Sequence, residues 1–431
     1  MTIEVKPVGN RCNLCCAYCY ESGARHTHVP LDKAAVFQSI DRANGSFHLF
    51  GGEALLLPLD ELEEFVAYGF QKFGHVGLQT NGSLITDAHI QMFAKYCVET
   101  GISIDGPGEL NDARCGSRLA VTRTMTAQTE SAIEALINAG RIPSLIITLS
   151  QANVGTPDRL ERFIGWIRYL RSRGVRHINP HFLEPNGNVG DLLLPDRQLT
   201  EVLMALWAVQ DEDLGLTMSL FSDVLNILQG DDVHVVCTYR SCDPWNTPSC
   251  NGIEPNGEPS MCGRVHKDGI DWNPAAGHSY ERQLALAITP QEHGGCQGCE
   301  YWIVCTGNCP GGAIDNDWRN RNGYCRVLKD LFAEGERRLT RAGIRPVTQA
   351  PDRDRWAQCM WDAWVAGTTP SLAGIVAGGK VVAGRSQGNR SHGDHTNAAK
   401  ARHADSTGHG NVPHGDRAHG DSHGDSNAPR R

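Results

Sequence analysis

The first part of the chain, to about residue 185, alternates between two hydrophobic periods, and this alternation restricts the fold most strongly. Short β-branched or alternating runs recur between longer amphipathic stretches, which is typical of strands followed by helices. The runs that we interpret as strands are IEVKPV, SFHLF, HVGLQT, GISID, SLIITLS and VRHINPHF. The stretches that we interpret as helices are 31–42, 59–73, 86–97, 120–139 and 156–173. Six such repeats predict an α/β fold with a parallel sheet, and because a full barrel needs eight units, we expect a partial (β/α)6 TIM-type barrel.

Polar and small residues follow the strands at the points where each predicted strand ends. A cysteine-containing loop follows the first strand, GGE follows the second, TNG the third and DGP the fourth. In folds of this class, ligands collect at the carboxyl ends of the strands, where the loops leave the sheet. The sequence therefore predicts that these four segments meet in one site.

The rest of the chain changes in composition. Helical patterns occur at 198–229, 325–343 and 353–366, but from 237 onward cysteine, glycine and proline dominate, so we expect a region held by its cysteines rather than by a hydrophobic core. The segment 386–431 has Val412 as its only large aliphatic residue and cannot bury enough surface to fold alone. The predicted regions are a barrel over 1–232, a cysteine-rich domain over 233–345, a helical or linker extension over 346–385 and a disordered tail over 386–431.

Charge and composition exclude several classes of partner. The 431 residues carry a formal net charge of −9 at pH 7 with scattered Lys and Arg, so we expect no nucleic-acid partner. The start MTIEVKPVGN lacks the features of a signal peptide, and no stretch approaches the roughly 18 apolar residues that span a bilayer. We therefore expect a cytoplasmic protein without a membrane partner. In a reducing compartment, its 16 cysteines are better explained as metal ligands than as disulfides.

The sequence RCNLCCAYCY contains four cysteines: Cys12, Cys15, Cys16 and Cys19. They form either two adjoining CxxC pairs or one CxxxCxxC set that leaves Cys15 out. A structural zinc site normally takes its pairs from separate hairpins, and here no spacer separates Cys15 from Cys16. Three thiolates at CxxxCxxC spacing suit one face of a 4Fe-4S cluster whose fourth iron takes an exchangeable ligand. The spacing therefore favours a cluster with an open iron, and a zinc or redox cysteine knot is the alternative.

This motif resembles the signature of the radical S-adenosylmethionine (radical SAM) superfamily, CxxxCxφC with φ aromatic, which Cys12, Cys16, Tyr18 and Cys19 match. The resemblance implies that the open iron chelates S-adenosylmethionine. It also implies that an electron from the cluster cleaves this cofactor to methionine and a 5′-deoxyadenosyl radical, which abstracts a substrate hydrogen. GGE resembles the family motif that receives the methionyl ammonium, and Ser103 would reach the nucleoside. The cofactor-binding residues implied in this way are Tyr18, Gly51, Gly52, Glu53, Asn81 and Ser103, for several of which ordinary turn chemistry is the alternative.

The second cysteine region resembles the SPASM domain, whose pattern of G-x4-C, CxxCx5CxxxC and a last cysteine is matched over 257–262 and 296–325. The resemblance implies two auxiliary 4Fe-4S clusters with interleaved ligands. These ligands would be Cys242, Cys250, Cys262 and Cys309 for the first cluster, and Cys296, Cys299, Cys305 and Cys325 for the second. Two zinc ions are the alternative. The cysteines left over are Cys15, Cys97, Cys115, Cys237 and Cys359, of which Cys115 and Cys237 each lie near a predicted site.

SPASM members act mainly on peptides and proteins, so the resemblance, which covers about residues 3–330, implies peptide maturation. In the sulfatase-maturing branch an Asp directly follows the cysteine of G-x4-C and serves as a base, whereas Gly263 follows Cys262 here. We therefore predict an enzyme that oxidatively modifies, and crosslinks, side chains of a ribosomally made peptide. A protein oxidase of the sulfatase-maturing type and a non-catalytic iron–sulfur electron-transfer protein are the alternatives.

The remaining predictions concern the catalytic base and the partners. His181, at the end of the sixth predicted strand, is the candidate catalytic residue, with Glu184 just beyond it. The expected partners are a precursor peptide or protein and, by resemblance, a flavodoxin or ferredoxin as reductant. The triplet His-Gly-Asp begins at His392, His414, His419 and His423, so the tail is either unstructured, a metal-binding tract or a substrate in cis. We expect any peptide-docking element to lie within 330–385 or on the SPASM surface.

Overall fold

The computed structural model describes residues 2–21, 29–184, 189–212, 215–243, 250–260, 262–266 and 280–378. The tail over 386–431, whose disorder the composition predicts, lies outside these residues, as does the end of the 346–385 extension. The domain limits expected at 232, 345 and 385 stay predictions.

A mostly parallel sheet organises the described residues. Its strands are β1 (Thr2–Val5), β2 (Phe47–Leu49), β3 (Val76–Thr80), β4 (Val98–Ser103), β5 (Ser144–Leu149), β6 (His177–Phe182), β7 (Thr217–Met218), β8 (Cys250–Ile253) and β9 (Pro259–Ser260). Strands β1 to β7 lie side by side in chain order, and every neighbouring pair among them is parallel. Parallel neighbours require crossover connections, which the helices supply. The α/β class and the parallel partial barrel predicted from the sequence are confirmed.

The helices follow the predicted periodicity closely in the barrel. They are α1 (Lys33–Ala43), α2 (Leu59–Phe73), α3 (Asp87–Lys95), α4 (Leu119–Asn138), α5 (Gln151–Val154), α6 (Pro157–Ser172), α7 (Asp196–Glu212), α8 (Ser219–Leu228), α9 (Gly263–His266), α10 (Glu281–Ile288), α11 (Trp302–Cys305), α12 (Cys325–Arg341), α13 (Arg353–Val365) and α14 (Leu372–Val376). None of these described helices is both long and apolar enough to cross a membrane.

The single helical span predicted over 198–229 was wrong. It divides into α7 and α8, and β7 lies between them and pairs with β6. Gly215 interrupts the helical pattern because glycine is a poor helix former, and the β-branched Thr217 favours the extended conformation. The sheet therefore gains a seventh parallel strand.

Local sequence signals explain how the crossover helices begin and what they bury. At α6 the hydroxyl oxygen of Thr156 accepts a hydrogen bond from the Arg159 N–H at 3.3 Å, and Pro157 occupies the first helical position. Such a cap contributes about 1 kcal/mol. Phe163, Ile167 and Leu170 recur at helical spacing and are buried in the core. Each of these side chains stabilises the fold by roughly 1.5–3 kcal/mol through the surface that it removes from water.

The cysteine-rich region has a hydrophobic core, so the expectation of a region held only by its cysteines was wrong. Strand β8 pairs in parallel with β1, and β9 pairs antiparallel with β8, so this region extends the barrel sheet. Helix α12 packs against α7 and α8. It buries Val327, Leu328, Leu331 and Phe332, which lie on one helical face.

Candidate active site

The carboxyl ends of the barrel strands surround a cavity of about 1080 Å³ that opens to solvent. Cys12, Cys16 and Cys19, on the loop after β1, line it. Of the six predicted cofactor-binding residues, five also line it: Tyr18, Gly51, Gly52, Asn81 and Ser103. His181, Glu184 and Arg264 also line it. The structure therefore brings together strand ends that are far apart in sequence, as the sequence predicts.

The two glycines of GGE support the cysteine loop through their backbone. The Gly52 N–H donates to the Gly9 carbonyl and the Glu53 N–H to the Arg11 carbonyl, both at 2.8 Å. A Cβ atom on Gly52 would lie 1.9 Å from the Arg11 oxygen, and one on Gly51 would lie 2.6 Å from the Gly9 oxygen. No other residue type fits at these two positions, because the loop that carries the cysteines packs directly on them.

Glu53 lies beneath the cavity rather than in its wall. Its carboxylate accepts hydrogen bonds from the Leu55 N–H (3.1 Å), the Thr80 hydroxyl (2.7 Å) and the Asn81 N–H (2.8 Å). Burial raises the pKa of Glu53, and these donors act in the opposite direction. The hydrogen bonds make Glu53 a support for Asn81, and its contact with S-adenosylmethionine stays a prediction.

Asn81 connects the third strand end to the cysteine loop. Its amide Nδ2 donates to Asn13 Oδ1 at 2.8 Å, and its Oδ1 accepts from the Ser83 hydroxyl at 2.7 Å. Nearby, Gln79 Nε2 donates to the Ser103 hydroxyl at 2.7 Å, and both of these side chains line the cavity. Asn81 and Ser103, which the sequence predicts as cofactor-binding residues, therefore line the cavity together with Gln79, which the sequence analysis missed.

Tyr18 forms a buried ionic group with Asp105 and Arg114 behind the cysteine loop. The Tyr18 hydroxyl donates to Asp105 Oδ2 and accepts from Arg114 Nη1 at 3.0 Å, while Arg114 and Asp105 lie 3.8 Å apart. Burial raises the pKa of Cys16 to about 12, and Arg114 acts in the opposite direction. The sequence analysis did not identify Arg114, because nothing in its neighbourhood indicates that it faces a loop about a hundred residues earlier.

His181 is held as a neutral side chain in the cavity wall. Burial lowers the pKa of His181 to about 3, and the positive charge of Arg264 adds to the effect. Arg264 forms an ion pair with Glu184 at 2.9 Å. This part of the wall therefore carries an ion pair and an uncharged imidazole.

Cys15 and Cys115 lie outside the set of cavity-lining cysteines. The Cys15 side chain is exposed. Its backbone N–H donates to the Cys115 carbonyl at 2.6 Å, and the Cys115 thiol contacts the Cys15 carbonyl at 3.0 Å. This geometry agrees with the interpretation of the motif as CxxxCxxC with Cys15 left out.

A second cavity, of about 340 Å³, lies in the cysteine-rich region. All four cysteines predicted for the second auxiliary cluster line it: Cys296, Cys299, Cys305 and Cys325. Arg321 and Lys329 also line it and supply positive charge. The folded region therefore brings these four thiols to one cavity, and their role as cluster ligands stays a prediction.

The cysteines predicted for the first auxiliary cluster are brought together in part. Cys242, Cys262 and Cys309 lie close enough for their charges to interact. Cys250 begins β8 by its backbone, but its side chain lies outside what the structure describes. Its role as a ligand stays a prediction.

The residues present fit iron–sulfur clusters and S-adenosylmethionine. Within the described residues, no three His, Cys, Asp or Glu side chains form a group that would hold a single metal ion. A 4Fe-4S cluster makes a different demand, because each thiolate binds a separate iron. Arg282 is 1% exposed beside Cys242, Cys296 and Cys309, and its Nη1 has no hydrogen-bond partner among the described residues. Because these cysteines belong to both predicted auxiliary sites, the positive charge of Arg282 would stabilise a negatively charged cluster at each of them.

Comparison with known proteins agrees with this geometry. The model of the Radical SAM superfamily matches residues 7–164. A serine-type anaerobic sulfatase-maturating enzyme of Klebsiella pneumoniae is 31% identical over 368 residues, which cover 77% of this chain and 87% of that protein. The match extends from the barrel into the cysteine-rich region.

Two solved structures share the fold. Native anSMEcpe with bound AdoMet has a TM-score of 0.61 at 19% identity, over 79% of this chain and 98% of that one. SuiB of Streptococcus suis, bound to S-adenosylmethionine, has a TM-score of 0.52 at 13% identity, over 75% of this chain and 77% of that one. The chain is thus an enzyme of the radical SAM superfamily, and it belongs to the SPASM-type maturases that include the anaerobic sulfatase-maturating enzymes.

Proposed function

We propose that this enzyme oxidatively modifies, by crosslinking, two side chains of a ribosomally made peptide. The observation that carries the proposal is the composition of the cavity, which opens to solvent. Three cysteines and most of the predicted cofactor-binding residues line it. His181 and the Arg264–Glu184 ion pair line it too, and these groups are suited to binding polar groups of a peptide.

Two structures of this fold support a peptide substrate. anSMEcpe was solved with bound AdoMet and the Cp18Cys peptide, and SuiB was solved bound to the precursor peptide SuiA. Each of these peptides was bound to the protein named with it, not to this chain. They support a peptide as the class of substrate for this chain, and experiment can identify which peptide it is.

The residues that would hold the cofactors follow from the geometry. Membership of the superfamily implies S-adenosylmethionine and a 4Fe-4S cluster, and we propose three clusters in total. Cys12, Cys16 and Cys19 would hold the first, while Gly51, Gly52, Asn81 and Ser103 would contact S-adenosylmethionine. When bound, these two groups supply a 5′-deoxyadenosyl radical as the hydrogen-abstracting agent. The chain's own residues orient the peptide and exclude water.

Counting the electrons of the reaction indicates a role for the auxiliary clusters as electron acceptors. Joining two side chains removes two hydrogens from the peptide: one as a hydrogen atom, taken by the deoxyadenosyl group, and one as a proton and an electron when the bond closes. The proton would pass to water or a side chain, and the electron needs an acceptor, a role that an auxiliary cluster held by the cysteines of the second region would fill. Crosslinking that persisted with both auxiliary clusters correctly ligated but redox-silent would contradict this role.

His181 stays our candidate for the catalytic side chain that contacts the peptide. With its pKa lowered to about 3 by burial and by Arg264, the ring is uncharged at neutral pH and is a weak proton acceptor. We propose that it binds the peptide through a hydrogen bond rather than as a strong base.

A protein oxidase of the sulfatase-maturing type is the second candidate, and the relative from Klebsiella pneumoniae favours it. The surroundings of Gly263 argue against it. A Cβ at this position would lie 2.5 Å from Glu21 Oε1 and 2.8 Å from Tyr20 Cε2. An Asp here, as the sulfatase-maturing branch has, would require both neighbours to move.

The two candidates differ in their products. Anaerobic, reduced enzyme is incubated with S-adenosylmethionine and one of three probes: a peptide encoded beside its gene, a sulfatase peptide with its Ser or Cys, or the chain's own 386–431 segment. The proposal predicts a peptide that has lost two hydrogens and resists fragmentation between two joined residues. An aldehyde that reacts with hydrazide on the sulfatase peptide would establish the second candidate instead. An unshifted mass of the 386–431 segment would eliminate a substrate in cis.

A further inference from the structure

Arg282 is buried beside both groups of cysteines that are predicted to hold the auxiliary clusters. It lies in the first turn of α10, and its side chain is 1% exposed. The thiols whose negative charge acts most strongly on it are Cys242 and Cys309, from the first predicted group, and Cys296, from the second. One guanidinium therefore lies within electrostatic reach of both predicted cluster sites.

The protein backbone holds this guanidinium in place. Nε donates to the Trp318 carbonyl at 2.7 Å, and Nη2 donates to the carbonyls of Gly307 and Asn320, both at 3.1 Å. These acceptors carry no net charge, so they fix the orientation of Arg282 without neutralising it. Burial lowers the pKa of Arg282, and the three thiols oppose this effect more strongly than Asp243 does.

The remaining nitrogen of the guanidinium, Nη1, is buried and has no hydrogen-bond partner among the described residues. A buried donor without a partner is costly, so an acceptor is expected here. A Cβ built on Gly307 would lie 3.4 Å from Nη1, and Gly307 lines the cavity in which the four cysteines of the second group meet. A sulfur of a cluster in this cavity would supply the missing acceptor.

The first turn of α10 is also connected to the first group of cysteines. The Gln283 side chain is fully buried, and its Nε2 donates to the Cys242 carbonyl at 3.1 Å. Gly307, whose carbonyl accepts from Arg282, lies between Cys305 of the second group and Cys309 of the first. This turn therefore fixes how far the charge of Arg282 lies from each group.

We propose that Arg282 is a positioning residue that raises the reduction potentials of both auxiliary clusters. Uptake of an electron makes a cluster more negative, so a buried cation beside it stabilises the reduced form more than the oxidised form. A hydrogen bond from Nη1 to a cluster sulfur acts in the same direction. Arg282 thereby favours transfer of the electron from the closing crosslink to an auxiliary cluster. The inference rests on the three clusters and the electron-acceptor role of the proposed function.

Reduction potentials distinguish this role from a purely structural one. They are measured by electron paramagnetic resonance during reductive titration of the Cys12/Cys16/Cys19→Ala variant, which should hold about eight irons in two auxiliary clusters. Cys299→Ala in this background, which should lose the second cluster, assigns the two signals. Iron, sulfide and Tm are measured for every variant.

Four substitutions are compared in the same background. Arg282→Gln removes the buried charge, and Arg282→Lys keeps it. Arg321→Gln removes a cation that lines the cavity of the second group. Arg319→Gln is the matched control, because it removes an exposed arginine that is paired with Asp317.

We expect Arg282→Gln to lower both potentials, each by at least 59 mV, which is a tenfold loss of affinity for one electron. Arg282→Lys should lower them less, Arg321→Gln should act on the second cluster more than on the first, and Arg319→Gln should change neither. Unchanged potentials in an Arg282→Gln protein with about eight irons, or a shift confined to one cluster, would overturn the inference. Equally large shifts of both clusters in Arg321→Gln or Arg319→Gln would overturn it too.

If Arg282→Gln loses its iron, Arg282→Lys decides the question. A lysine variant that keeps about eight irons would show that the clusters require the charge, in support of the inference. A lysine variant that also loses them would show a structural role and overturn it. A background variant with only about four irons would overturn it together with the three-cluster proposal. The expected potentials in a protein that modifies no peptide would contradict the proposed function alone.

Discussion

Asp105 shows how one buried residue supports the site without touching the substrate. Its carboxylate accepts hydrogen bonds from the Tyr18 hydroxyl and the Thr148 N–H (2.9 Å), and it faces Arg114. Replacing it as Asp105→Asn leaves the buried Arg114 charge without its anion. Removing one partner of a buried pair costs about 3–5 kcal/mol, so we expect a clear fall in Tm and a loss of 5′-deoxyadenosine release.

Asp41 is a matched control for this variant. It also accepts hydrogen bonds from a tyrosine and a cation, Tyr68 and Lys72, but this group is exposed on the surface. We expect Asp41→Asn to change neither Tm nor nucleoside release appreciably, because exposed ion pairs contribute little. Equal effects of the two variants would contradict a special role for the buried group.

The lowered pKa of His181 predicts a dependence of stability on pH. The unfolded chain binds a proton at this histidine near pH 6.5, whereas the folded chain does so only near pH 3, so stability falls as pH decreases through this window. Between pH 7 and pH 5 the wild type should lose about 2 kcal/mol that His181→Gln does not lose. Tm values of both proteins at the two pH values check this. Parallel curves would show that folding does not lower the pKa of His181.

At the scale of elements, the packing of α12 on α8 depends on a glycine inside a helix. A Cβ on Gly335 would lie 2.6 Å from Leu228 Cδ1 and 2.9 Å from Val224 Cγ1. Gly→Ala inside a helix normally stabilises by about 1 kcal/mol. Here overpacking, at about 1–3 kcal/mol, outweighs that gain, so we expect Gly335→Ala to lower Tm.

Gly165, inside α6, provides the control. Apart from its chain neighbours and the backbone of its own helix, no atom of the described residues lies within 4 Å of a Cβ built on it, so Gly165→Ala should gain the ordinary helix propensity and raise Tm. If Gly335→Ala were as stabilising as Gly165→Ala, α12 would pack more loosely on α8 than the structure shows.

Much of the element order could be predicted from the sequence, because the barrel helices and strands carry clear periodic patterns. Helix α2 has the predicted bounds of 59–73, and α4 differs from its prediction by one residue at each end. The patterns failed where an element is too short to show a period. The two-residue strand β7 lies between two helical patterns that merge in sequence, and only its pairing with β6 reveals it.

For the whole molecule, the strand-end rule predicted which strand ends line the cavity, because parallel strands end at one edge of the sheet. It could not identify Arg114 or Arg264, since each reaches the cavity from a segment that has no motif of its own for this role. The same limit applies to the contact between Cys237 and Cys242, which spacing along the chain did not predict. Contacts between distant segments depend on packing that a linear pattern does not contain.

We propose that Cys12, Cys16 and Cys19 hold a catalytic cluster in a protein with two further clusters. Anaerobic reconstitution tests this, followed by iron and sulfide analysis and by measurement of 5′-deoxyadenosine after addition of dithionite and S-adenosylmethionine. We expect about twelve irons and nucleoside release for the wild type, and about eight irons and no nucleoside for the Cys12/Cys16/Cys19→Ala variant. Zinc in place of iron, or release of nucleoside by the variant, would contradict it.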